Sequence, residues 1–322
     1  MIPNKFKKIV FAFSDPGAAK HVLALADFLQ NEREILLISD KEYDFYTYFK
    51  TRVIKVREDE CLKLIMEFNP DLIFTGTSLS SCFEYNLICL AANFKIVSFS
   101  FIDHYTSYKQ RFMRHGKMIL PDFICLPDEK AYKIALNEFN DESKLLITGN
   151  QYFDFLKSWV PDLTRDEVYE KLDVDTSKQL FVYAPDPLSI VGGSVVYGMD
   201  EYSLLHQLLH CMQLVQNSSI HLVVQCHPKQ NKHKIKEVIA QYPGLAVSLN
   251  TVLDSNTLIS YSHLVIGMFS TILIEASILK RKVLICLFNF KMNDPLADID
   301  IGMIITNPDL LQAFFHTKKS LV

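Results

Sequence analysis

Short apolar runs alternate with amphipathic segments along the whole chain, and this rhythm restricts the fold more than any other property of the sequence. In the first half, residues 8–14, 34–39, 72–75, 95–102, 122–126 and 144–148 read as strands. Residues 18–30, 58–67, 81–92 and 129–138 read as helices between them. Strand, helix, strand, helix at this spacing predicts a parallel sheet covered by helices on both faces. The stretch 154–164 interrupts the pattern, and a short helix at 165–172 follows Pro161. A second alternation then begins, with strands at 180–184, 221–226, 245–249, 264–267 and 283–287. Helices are expected at 200–216, 232–241, 252–260, 272–279 and 308–316, and a mobile loop at 185–198. The expectation is an α/β chain of two doubly wound Rossmann-like domains, residues 1–157 and 158–322, facing a cleft.

Composition removes several function classes. Apolar residues make up 49% and charged residues 22% of the 322, enough for two packed cores. Thirty-three Lys and Arg stand against 37 Asp and Glu, so no electrostatic case exists for nucleic-acid binding. The seven cysteines are scattered, with no CxxC pair, and read as reduced thiols of a cytoplasmic protein. No apolar stretch reaches the roughly 18–20 residues that span a bilayer, and residues 1–10 lack a signal-peptide pattern. Membrane contact would therefore be peripheral, at the inner membrane. His206 and His210 share a helix face but lack the further ligands of a zinc site, so no metal is expected. Oligomeric state leaves no mark in the sequence.

Four segments carry candidate chemistry, each just past a predicted strand. Asp15, Pro16 and Gly17 form the first strand-to-helix turn, where a ligand can approach the backbone closely. Asp103 and His104 follow the fourth predicted strand as a candidate general base and its neighbour. Tyr105, Tyr108 and Arg111 come next, as stacking faces and a guanidinium fork at the cleft. His227 and Pro228 end a strand of the second half, with Lys229 and Lys232 nearby. Ser270 and Thr271 open a helix after a strand, as a phosphate cradle would, and Glu275 lies about one turn further in. No GxGxxG, Walker A or GxSxG pattern occurs.

With these residues the chain resembles the GT-B glycosyltransferases. The run Pro121–Asp128, followed by Ile147, Thr148, Gly149 and Asn150, is similar to the end of the N-terminal domain in that superfamily. His227-Pro228 and Ser270-Thr271 resemble the His-Pro and Ser-Ser/Thr motifs of bacterial sialyltransferases and polysialyltransferases. In that family these residues hold the phosphate of a CMP-sugar, and an acidic motif after a strand supplies the base. Asp103 lies where that motif is expected, although His104 and Tyr105 replace its acid and glycine. The resemblance implies a glycosyltransferase of bacterial surface-glycan assembly, for capsule or lipopolysaccharide. A nucleotide-sugar, CMP-linked in preference to UDP-linked, would be co-substrate, with no cofactor. Asp103 would deprotonate a glycan or glycolipid acceptor, while His227, Ser270 and Thr271 stabilise the leaving phosphate. Glu275, Gly149 and Asn150 would bind the donor, and Asp15 and Gly17 the acceptor side. Two alternatives stay open: a UDP-N-acetylglucosamine 2-epimerase-like isomerase, and a nucleotide- or glycan-binding protein that lacks catalysis.

Overall fold

The computed structural model describes residues 2–319, apart from the side chains of residues 44, 58, 59 and 317–319. The chain divides into two compact units, Met1–Ser158 and Trp159–Val322.

The first unit runs β1 (Lys8–Phe13), α1 (Pro16–Leu29), β2 (Glu34–Ser39), β3 (Val53–Lys55), α2 (Glu58–Phe68), β4 (Leu72–Thr75), α3 (Phe83–Phe94) and β5 (Val97–Phe101). A short helix α4 (Tyr108–Arg111) and a hairpin, β6 (Met113–Arg114) and β7 (Lys117–Met118), precede β8 (Phe123–Leu126). The unit closes with α5 (Glu129–Phe139), β9 (Leu145–Ile147) and α6 (Gln151–Ser158). Its seven-stranded sheet has the order β3-β2-β1-β4-β5-β8-β9, and each adjacent pair is parallel. Chain direction across the sheet reverses between β1 and β4. With right-handed crossovers, that reversal puts helices on both faces. β1 lies inside the sheet between β2 and β4, and Ile9 to Phe13 are fully buried, as a strand covered on both faces requires. Phe6, Phe74, Phe99 and Phe123 pack edge-on or tilted in the same core, which accounts for part of the aromatic richness.

The second unit runs α7 (Arg165–Leu172), β10 (Gln179–Tyr183), α8 (Gly193–Tyr197), α9 (Glu201–Val215), β11 (Ile220–Val224), α10 (Lys232–Ile239) and β12 (Val247–Leu249). It continues with α11 (Ser255–Ser260), β13 (Leu264–Gly267), α12 (Thr271–Ile278), β14 (Lys282–Cys286), β15 (Met303–Ile305) and α13 (Pro308–Lys319). The six parallel strands take the order β12-β11-β10-β13-β14-β15, reversing between β10 and β13. Both units are thus doubly wound and Rossmann-like, as the alternation predicts.

The sequence reading differs from the structure in short or edge elements. β3, β15 and the hairpin β6–β7 have too few residues to establish a period. Residues 185–198 are not an open loop: Leu188–Val191 forms a 3-10 turn and α8 follows. Glu201 explains the order there, since its buried carboxylate accepts from Ser189 N at 2.9 Å and Ser189 Oγ at 2.6 Å. Among the described residues no helix is long and apolar enough to cross a membrane.

Candidate functional site

In an open parallel sheet, ligands bind beyond the carboxyl ends of strands where the strand order reverses. In the first unit that position is lined by the β1–α1 turn, the loop after β4 and the loop after β5. Asp15 is the N-cap of α1, yet its side chain makes no capping bond. Its Oδ2 instead accepts from Ser78 Oγ at 2.7 Å and Leu79 N at 3.3 Å, tying the first turn to the loop after β4. Ser14 N donates to Glu84 Oε1 at 2.8 Å. Glu84 is only 2% exposed. Burial, reinforced by the charges of Asp15 and Asp40, pushes its carboxyl up to about 8.

Asp103 sits at the centre of this arrangement. Its Oδ1 accepts from Arg111 Nη1 at 3.0 Å, and its Oδ2 lies against Gly17. The same Nη1 donates to Thr77 O at 3.1 Å and Thr77 Oγ1 at 3.2 Å. Arg111 is buried, so it joins the carboxylate to the loop after β4. Arg114, one turn on, donates to Ser78 O and Ser81 O, both at 2.6 Å. His104 Nδ1 lies 3.0 Å from Thr106 Oγ1, which orients the ring within its own loop.

Several expected site residues have structural work instead. Tyr108 is fully buried, near Phe139. Tyr105 is buried and its hydroxyl donates to Asp128 Oδ2 at 2.5 Å. Neither presents a ring face to a sugar, because α4 turns the aromatic run inward. Asp128 also caps α5 through Ala131 N at 2.8 Å. Gly149 takes a positive φ of 75°, and Asn150 Oδ1 accepts from Tyr152 N at 3.1 Å. Asn150 Oδ1 also lies 3.2 Å from His21 Nδ1. This pair therefore anchors the start of α6 on α1, within the first unit. His21 stacks on Phe101 with centroids 3.5 Å apart, and burial pulls its imidazole down to about 3.

In the second unit the reversal places the loop after β10 beside the β13–α12 turn, with the loop after β11 on the other side of β10. Ser270 is the N-cap of α12 and its hydroxyl makes no capping bond. Thr271 opens the helix, whose first N–H groups have no intrahelical acceptor. Glu275 is buried one turn further along. His227 Nδ1 accepts from Lys229 N at 3.1 Å, so the neutral ring carries its proton on Nε2 and is a donor there. His227 N donates to Gln230 Oε1 at 2.7 Å, and Gln230 Nε2 donates to Pro185 O at 3.4 Å. Pro228 is exposed beside this turn.

Sequence reasoning missed Asp186. It is 7% exposed, and its Oδ2 accepts from Phe269 N at 3.1 Å. Asp186 thereby ties the loop after β10 to the Ser270–Thr271 turn. An aspartate between two prolines, 83 residues before its partner, carries no local signal of that contact. Among the described residues no group of three or more His, Cys, Asp or Glu could hold a metal ion.

No protein-family model and no curated protein matches this chain. Solved structures do. The chain is similar to S. aureus MnaA in a co-structure with UDP, with TM-score 0.69 and 16% identity over 98% of this chain and 88% of that one. A Methanocaldococcus jannaschii UDP-GlcNAc 2-epimerase in complex with UDP-GlcNAc and UDP gives TM-score 0.68 and 12% identity, covering 95% and 91%. The UDP-GlcNAc 2-epimerase from Neisseria meningitidis, bound to UDP-GlcNAc, gives 0.63 and 12%, covering 97% and 93%.

At this identity the likeness establishes the fold, which is GT-B-like. It also corrects the enzyme class expected above. The glycosyltransferase reading, with its sialyltransferase-like, capsule and lipopolysaccharide context, does not stand against neighbours that are UDP-GlcNAc 2-epimerases, which are isomerases. The physical reason is that His-Pro and Ser-Thr pairs at strand ends suit any phosphate ligand on this fold. They do not report the reaction.

Proposed function

We propose that this chain binds a UDP-sugar and acts as a UDP-N-acetylglucosamine 2-epimerase-like isomerase. The observation that carries the reading is the likeness, over nearly the whole chain, to epimerases solved with UDP-GlcNAc. UDP replaces the CMP that the two-residue motifs imply by resemblance. The reading needs no glycan acceptor.

In this reading the second unit holds the nucleotide. Ser270 Oγ, Thr271 and the first turn of α12 receive the diphosphate, and His227 donates through Nε2–H. Glu275 is assigned to the nucleoside side. The first unit acts on the sugar. Inversion at C2 breaks a C–H bond on one face, its electron pair expelling UDP from C1 to leave a C1=C2 bond. UDP then adds back at C1 as a proton adds to the other face of C2, so a carboxylate is needed as base for the first step. Asp103 is that carboxylate, held by Arg111 and backed by the open Cα of Gly17.

One observation favours a second reading. Oδ1 of Asp103 is already held by buried Arg111 at 3.0 Å, as in a binding protein without turnover. Incubation with UDP-GlcNAc and no acceptor separates the two. An isomerase yields the C2 epimer, and Asp103→Asn abolishes that yield while UDP still raises the Tm. A binding protein shifts its Tm with UDP and returns the sugar unchanged. Stabilisation by CMP in preference to UDP rejects both.

A further inference from the structure

The turn assigned to phosphate already contains an anion, the carboxyl of Asp186. The backbone N–H of Phe269, just before the N-cap Ser270, donates to its Oδ2 at 3.1 Å. A backbone N–H at the start of a helix ordinarily suits an oxyanion ligand. Here the chain supplies the acceptor from β10, the strand next to β13 at the reversal. Pro185 and Pro187 flank the aspartate and restrict its backbone. Pro185 O in turn accepts from Gln230, which holds the His227 loop. A single buried carboxyl therefore fixes the Ser270 turn, and its own backbone is tied to the His227 loop.

A nucleotide phosphate arriving at Ser270 and Thr271 would lie close to this group. Two anions in a site of low dielectric repel strongly, and protonating one relieves the repulsion. A protonated carboxyl keeps a carbonyl oxygen and can still accept from the turn. Asp186 is poised for the change: burial and the neighbouring Glu201 push it up to about 7, against the pull of the Phe269 N–H bond. Glu201 from α9 and Tyr183 from β10 are the titratable groups that face it, and His227 lies on the adjoining loop.

We propose that Asp186 is the positioning residue of the Ser270–Thr271 turn, and that its carboxyl takes up a proton when a nucleotide phosphate binds there. The proposal rests on the reading of this turn as the phosphate site.

The test is the Kd for UDP from pH 6 to 8.5, by calorimetry, with wild type, Asp186→Asn and Ser270→Ala. The amide is a fixed neutral group, and UDP's own ionisation cancels in the ratio of wild-type to Asp186→Asn Kd. The expected ratio is near one at pH 6. It rises to roughly 5–10 at pH 8.5, where wild type carries the repelling charge. A ratio that stays flat while both proteins bind UDP overturns the proposal. A Ser270→Ala protein that binds UDP as wild type does, or a wild type that does not bind it, rejects the phosphate reading itself and the proposal with it. Should Asp186→Asn fail to fold, wild type alone answers in buffers of different ionisation heat at pH 8. Net proton uptake on binding UDP is expected, and none overturns the proposal.

Discussion

A Cβ placed on Gly17 would overlap Oδ2 of Asp103. The β1–α1 turn and the loop after β5 can meet only because residue 17 has no side chain, so α1 and the candidate carboxylate share one boundary. Gly17→Ala forces the carboxylate or the turn to move. We expect a loss of about 1–3 kcal/mol in stability, the usual scale for overpacking. Epimerisation should fall at least tenfold in kcat, with the Kd for UDP unchanged. Urea unfolding and steady-state kinetics check the two halves of the expectation.

Arg111 holds the other side of the same carboxylate. It is buried and serves Asp103 and Thr77 with one nitrogen, so truncation leaves a poorly compensated charge. Arg111→Ala should cost about 3–5 kcal/mol. Arg111→Lys should recover only part of this, because an ammonium cannot reproduce the fork that also reaches Thr106 O. Denaturation of the two variants side by side measures the difference.

The strand ends that carry Asp103, His227 and Ser270 were legible because each apolar run has a clear period and stops at a polar residue. The strand order that sets the His227 and Ser270 ends on either side of β10 was not, since pairing between β10 and β13 joins residues far apart in sequence. Asp186 was unreadable for the same reason. Tyr105 and Tyr108 misled in the opposite direction. An aromatic run after a strand has the composition of a sugar platform, but the turn of α4 buries it, and a four-residue helix has no periodicity to reveal that. The reaction class lay beyond two-residue motifs, whose chemistry suits any phosphate and says nothing of what happens to a sugar.

Glu84 should govern how stability varies with pH. Its carboxyl, ordinarily near 4.5, is pushed up to about 8 in the fold by burial. Between these values the unfolded chain has released a proton that the folded chain keeps, so stability falls as pH rises through the window. Glu84→Gln has no proton to lose, and its amide oxygen can still accept from Ser14 N. The variant should be more stable than wild type at pH 8, by about 2–4 kcal/mol, and lose most of that advantage near pH 4.5. Asp186 leaves a residual slope of the same sign, being raised from 3.8 to about 7. Thermal melts of both proteins across this range test the sign and the size.

The most direct measurement is proton NMR of UDP-GlcNAc incubated with the protein in D2O, without any acceptor. Removal and return of the C2 proton predicts deuterium at C2 and growth of the C2 epimer, both abolished in Asp103→Asn. A C2 proton signal that keeps its full intensity, under conditions where UDP demonstrably binds, would contradict the account.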